Sequence, residues 1–285
     1  MPGLFGPGDS SGATQPTPAL PAASCGTGRP VRRAGWAALL VVEALKLRRS
    51  LVWSIVAVLP VLAVVSGSVN FAMNQAVLSP TLEAFTSQVT LFYGLFFFSI
   101  AVALLVAAAW RPEHRSSSWN YMATTPHSPA ALALAKTTVV LVPLAVMQML
   151  LVIATWLSGL VLLHLDGGLP IGFTVCALLA VVAAVPLVGW QSALSMRLRS
   201  FAAPVALGLA GAVIGIAVAY QSRSLAGLWP YSLVTRALTL GSSALTDAGG
   251  LEWSSVGPIL AWAAAGGAVF WALLAYAAGR ATPRA

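Results

Sequence analysis

Six stretches of this chain, each about 20 residues long, carry no Asp, Glu, Lys, Arg or His near their middles. That feature constrains the fold more than any other, because a helix needs about 20 consecutive apolar residues to cross the hydrocarbon of a bilayer. The stretches cover about 51–69, 89–109, 137–163, 171–190, 201–220 and 257–279. They define an all-α integral membrane protein with six transmembrane helices. Pro60, Pro143 and Pro186 fall inside three of them, which a packed bundle tolerates because neighbouring helices satisfy the freed carbonyls.

Composition agrees with that class. Charged residues make up 8% of the chain and apolar residues 59%, against roughly a quarter charged in a soluble domain. Six spans leave no room in 285 residues for a separate soluble domain. The net charge of +8 is spread over short loops and forms no basic stripe, which argues against nucleic acid as a partner. The partner it implies is the bilayer. All 15 Lys and Arg residues except Arg223 and Arg236 fall on one side of the spans. The positive-inside rule then places both termini in the cytoplasm, which requires an even number of spans. The localisation expected is a cytoplasmic membrane.

Residues 1–28 are rich in Pro, Gly, Ser, Thr and Ala without apolar periodicity, and read as a disordered tail. The remainder, 29–285, reads as one membrane domain. Arg32-Arg33 is a poor twin-arginine signal, because the apolar stretch after it is short and Glu43, Lys46, Arg48 and Arg49 precede the first span. Residues 31–49 suit an interfacial helix, with Trp36, Leu39, Leu40 and Leu47 toward lipid and Glu43 and Lys46 on a polar stripe. The outer segment 221–256 contains Trp229-Pro230-Tyr231 and Glu252-Trp253. It is expected to fold back as interfacial or re-entrant helices with its aromatic residues at headgroup level.

The chemistry of the chain is defined largely by what it lacks. Its two lysines, Lys46 and Lys136, follow no Gly-rich turn, so there is no phosphate-binding loop for ATP. His114, His127 and His164 lie on different loops, and Cys25 and Cys176 form neither a disulfide framework nor a metal site. No carboxylate pair or Ser/His dyad lies within a span, as an intramembrane enzyme or proton-coupled transporter would keep. The chain is therefore expected to be no enzyme and to bind no cofactor of its own. Glu83, Asp166 and Glu252, at the outer headgroup level, are the residues an enzyme reading would need. A bundle of this kind is passive or is driven by a partner.

One interruption stands out. After the second span come Trp110-Arg111-Pro112-Glu113-His114-Arg115-Ser116-Ser117-Ser118-Trp119, then Tyr121, then Thr125-Pro126-His127-Ser128, and Ala135-Lys136 opens the third span. Charge and aromatic residues are concentrated there as they are nowhere else in the chain. A docking element needs aromatic anchors and a few charges to fix register. Trp119 and Tyr121 supply the first; Glu113, His114 and Arg115 supply the second.

These residues resemble those of the permease subunits of ABC-2-type transporters, particularly the branch with lantibiotic-immunity and bacitracin-export permeases. Glu43-Ala44-Leu45-Lys46 before span one is similar to the Glu-x-x-Lys of the family's elbow helix. Glu113 with Ser117-Ser118-Trp119 resembles its Glu-x-x-x-Gly-Thr-Trp, and Thr125-Pro126-His127-Ser128 its Thr-x-Pro-x-Ser turn. The resemblance covers roughly 31–280. It implies the ABC-2 (type V exporter-like) permease fold, with an elbow helix around Glu43, Lys46, Arg48 and Arg49 and a coupling helix at 110–130. That coupling helix docks on a cytoplasmic ABC ATPase, present in two copies and holding ATP and Mg. The resemblance further implies a bacterial membrane, a second permease copy or related subunit, and export of an amphiphilic substrate such as a peptide antibiotic. The competing expectation is a structural or sensory membrane subunit that transports nothing.

Polar and small residues inside the spans complete the candidates. Gln148 lies near the middle of span three, where it bonds a neighbouring helix or lines a path. Gly211 and Gly215, with Gly208 nearby, form a stripe in span five suited to close helix packing or to a subunit interface.

Overall fold

The computed structural model describes residues 35–48, 50–114, 127–221, 225–240, 242 and 253–280. Arg49, Arg115, Trp119 and Tyr121, the 1–28 tail and Glu252 lie outside the described residues. Among the described residues there is no strand. The helices are α1 (Trp36–Arg48), α2 (Val52–Met73), α3 (Leu82–His114), α4 (Pro129–Leu162), α5 (Ile171–Arg197), α6 (Ala202–Gln221), α7 (Pro230–Thr239) and α8 (Trp253–Gly279). Six of these, α2 to α6 and α8, are long and apolar enough to cross a membrane.

Two spans begin about two turns earlier than hydropathy placed them. The second starts at Leu82, not near 89, with the Thr81 hydroxyl capping the amide of Ala84 at 3.2 Å. Thr86, Ser87, Gln88 and Thr90 lower the hydropathy of its first turns, yet all are buried. α2 covers Gln88, with α5 and α7 on the side of Thr86 and Thr90. Asn70 donates to Gln88 Oε1 at 2.6 Å, and Gly67 packs so closely that a Cβ there would stand 2.6 Å from Val89 Cγ2. The third span starts at Pro129, not 137, because Ser128 caps Ala131 and Pro129 has no amide hydrogen to satisfy. Lys136 is therefore two turns inside the helix.

α3 forms the centre of the bundle. Buried positions make up 61% of its apolar window, against 28% in α6 and 22% in α8, which present most of their surface outward. A π-helical turn at Tyr93–Phe97 interrupts α3, and Leu238 and Thr239 of α7 pack against its Gly94.

α7 does not cross. After α6 the chain turns back inward, so that Trp229 Nε1 donates to the Gly211 carbonyl halfway along α6 at 3.1 Å. From there α7 runs outward again, and its Leu240 end meets Cys176 in the second turn of α5. Its backbone is sheltered by α5, α6 and α3, the condition under which a non-spanning segment persists at membrane depth. The sequence placed Trp229 and Tyr231 at headgroup level. Tyr231 is instead buried, and its hydroxyl donates to Gln191 Oε1 at 2.9 Å.

Candidate functional site

The site grows out of the way α1 packs. Leu39, Glu43 and Leu47 recur every fourth residue and form its buried face. Trp36, Val41, Val42 and Leu45 point outward. This reverses the expectation for Leu39 and Leu47, which face the protein with Glu43 between them, whereas Trp36 is exposed. Leu39 joins Leu132 and Ala135 of α4 in a small apolar cluster, which holds α1 against the start of α4 and brings Glu43 to Lys136.

Four charged groups converge there. Glu43 accepts from Lys46 at 2.6 Å and from Lys136 at 2.5 Å. Glu113, at the end of α3, accepts from the same two ammonium groups through Oε1, at 3.1 Å and 3.0 Å. Carboxylates and ammonium groups thus alternate around a ring of zero net charge that joins α1, α3 and α4. The side chains of Glu43, Glu113 and Lys136 are 4%, 3% and 4% exposed, whereas Lys46 is 40% exposed. The Lys136 ammonium also lies 5.8 Å from the centre of the Trp110 ring. Burial pulls the Lys46 pKa down, but hydrogen bonds and charge from Glu43 and Glu113 outweigh it and hold the group above its ordinary value near 10.5.

This geometry corrects the reading of Glu113 as an outward docking charge. Its carboxylate faces two lysines inside the protein, so it ties the segment to the bundle. Trp110, the last residue before this turn, is 1% exposed. His114 makes a second tie, its Nε2 donating to the carbonyl of Ser195 on α5 at 2.6 Å. Among the elbow residues Glu43 and Lys46 are in the ring, and Arg48 is exposed at the end of α1. Lys136 is the member that sequence reasoning named only as part of a motif. A lysine two turns inside an apolar helix was the available signal, since such a group needs a partner.

The other candidates lie elsewhere. Gln148 is 1% exposed in α4, and neither of its amide atoms has a hydrogen-bond partner among the described residues. Gly211 and Gly215 pack on Tyr231, where a Cβ would approach to 2.5 Å and 2.6 Å. The stripe is thus filled by α7 of the same chain, which removes the subunit-interface reading for these glycines. Among the described residues no group of three His, Cys, Asp or Glu is arranged to hold a metal ion.

The six-span bundle thus has a re-entrant helix, and buried charge ties its short first helix α1 to the second and third spans at one end. The family model described as ABC-2 family transporter protein matches residues 39–215, from α1 to α6 and including the whole ring. The chain belongs to this family, the membrane permease components of ABC transporters, whose ATPase is a separate partner. No curated protein and no solved structure matches the chain.

Proposed function

We propose that this chain is the permease of an ATP-driven exporter, moved by its ATPase through the corner where α1, α3 and α4 meet. The observation that carries this reading is the ring of Glu43, Lys46, Glu113 and Lys136. Its members come from three helices and flank residues 115–126, the segment with the aromatic anchors Trp119 and Tyr121. A neutral, largely buried ring passes a displacement of that segment to three helices at once, because separating the buried charges leaves another unpaired in a poorly solvated place.

In this reading the membrane is bacterial and the ring faces the cytoplasm, a placement that the asymmetry of basic residues supports. Two ABC ATPases bind ATP and Mg, and the pathway is completed by a second copy of this chain or a related permease. The cargo is amphiphilic, of the peptide-antibiotic class, and leaves outward or from the lipid phase. The test is purification of the full chain from its native membrane in mild detergent, with mass spectrometry of the proteins that accompany it. A stoichiometric ABC ATPase is expected. Recovery of the chain alone, repeated after gentle crosslinking, overturns the proposal in favour of a non-transporting subunit.

A further inference from the structure

A second basic surface lies at the same end of the bundle, where the ends of α3 and α5 meet the start of α6. A cavity of about 260 Å³ opens there, lined by Arg111, His114, Ser195, Arg199, Phe201 and Pro204 among others. Its charge differs from that of the ring. Lys46 and Lys136 are neutralised by carboxylates, whereas among the described residues neither Arg111 nor Arg199 forms an ion pair. The Arg111 guanidinium lies over the Phe201 ring, 5.6 Å from its centre, which stations the charge at the mouth of the cavity.

The floor supplies an independent observation. Ser195 is 1% exposed, and its hydroxyl has no hydrogen-bond partner among the described residues. Its carbonyl is already taken by His114. A buried hydroxyl without a partner is costly and calls for an acceptor. The first turn of α6, a helix of 20 residues, borders the same cavity at Pro204 and adds its positive dipole end. Two unpaired guanidinium groups, an unused donor and a helix start all favour an oxyanion, and the fork of Arg suits phosphate.

The surroundings indicate where the phosphate comes from. The wall next to the arginines is apolar, through Phe201 and Pro204, and continues along the outward face of α6 at Leu207, which is 49% exposed. A basic pocket at the level where spans leave the membrane, opening onto an apolar helix face, matches a lipid with an anionic headgroup. We propose that this cavity binds the phosphate of an anionic phospholipid, with the acyl chains along α6. The inference needs only that this end of the bundle meets a membrane surface, and is independent of the transport reading.

Native mass spectrometry of the full chain in detergent tests it, with phosphatidylglycerol, cardiolipin, phosphatidylethanolamine and inorganic phosphate as probes. The two anionic lipids are expected to be retained about tenfold better than phosphatidylethanolamine. R111Q/R199Q should remove that preference, S195A should weaken it, and R280Q, an exposed arginine at the same end, should leave it intact. Equal retention of phosphatidylethanolamine, or an equal loss in R280Q, overturns the site in favour of diffuse charge. Retention of inorganic phosphate with displacement of lipid assigns the cavity to a soluble anion and overturns the lipid. Unchanged lipid retention with loss of a co-purifying ATPase in R111Q/R199Q gives the arginines to a protein partner, which also overturns it.

Discussion

Lys136 of α4 and Glu43 of α1, 93 residues apart in the chain, form an ion pair of 2.5 Å in which both side chains are 4% exposed. A pair so buried gains from mutual attraction only what remains after two charges have been desolvated. Its worth to the protein is therefore specificity of position: α1 has one register on α4 in which both groups are satisfied. The same lysine reaches Glu113, so the register of α1 also fixes the end of α3.

Breaking the pair from one side should be far worse than removing it. K136M leaves Glu43 and Glu113 facing each other with only the half-exposed Lys46 between them, and should cost about 3–5 kcal/mol of unfolding free energy. E43L/K136M should recover part of that loss, with the remaining deficit due to Glu113. A double-mutant cycle on the purified protein in detergent measures the coupling, and additive single effects would show that the two helices are held by other contacts.

Lys46 gives a pH signature. Its pKa is held above the ordinary value near 10.5 by Glu43 and Glu113 against the opposing effect of burial. A raised folded-state pKa means that its stabilising contribution is complete below the unfolded value and is lost as pH rises through the folded one. The difference in thermal stability between the wild type and K46M should stay constant from neutral pH to near 10 and shrink only above about 10.5. A difference that already closes near pH 8 would mean that Lys46 is not paired in solution.

Gly211 and Tyr231 offer a test of the re-entrant helix. The Tyr231 ring is fixed by its hydrogen bond to Gln191 and cannot swing aside to admit a Cβ 2.5 Å from Cε2. G211A should therefore cost about 1–3 kcal/mol. Y231A should restore much of the fit in the double variant, though with a cavity of its own. If G211A is neutral, α7 does not pack against the middle of α6.

The spans were legible in the sequence because charge was confined to their ends, and α5 and α6 start within a residue of where hydropathy placed them. The start of α3 was not, since Thr86, Gln88 and Thr90 are polar by composition and hidden only by helices distant in sequence, α2 over Gln88 and α5 and α7 on the side of Thr86 and Thr90. The motif residues Glu43, Lys46 and Glu113 could be picked out one by one, but not joined. Glu113 lies 67 residues from Lys46, and nothing local distinguishes a carboxylate that faces an ATPase from one that faces two lysines. The depth of Tyr231 was hidden for a similar reason, because its partner Gln191 and the glycines that admit its ring belong to other helices.

With Glu113 and Lys136 occupied by each other, the docking role proposed for this end falls on the segment beyond α3. Trp119 and Tyr121 are its proposed aromatic anchors, and aromatic anchors at interface centres commonly cost about 2 kcal/mol or more when truncated, roughly a thirtyfold loss of affinity. W119A and Y121A should each weaken retention of the ATPase on the purified permease by about that factor while leaving its thermal stability unchanged, since neither belongs to the ring. E113Q should behave in the opposite way. It should lower stability first, because Lys136 loses one of its two carboxylates, and ATPase retention only as the end of α3 loosens. Titrating ATPase onto immobilised permease for the three variants, with melting curves alongside, separates the roles. Equal stability loss in all three would place Trp119 and Tyr121 in the fold instead of at the contact.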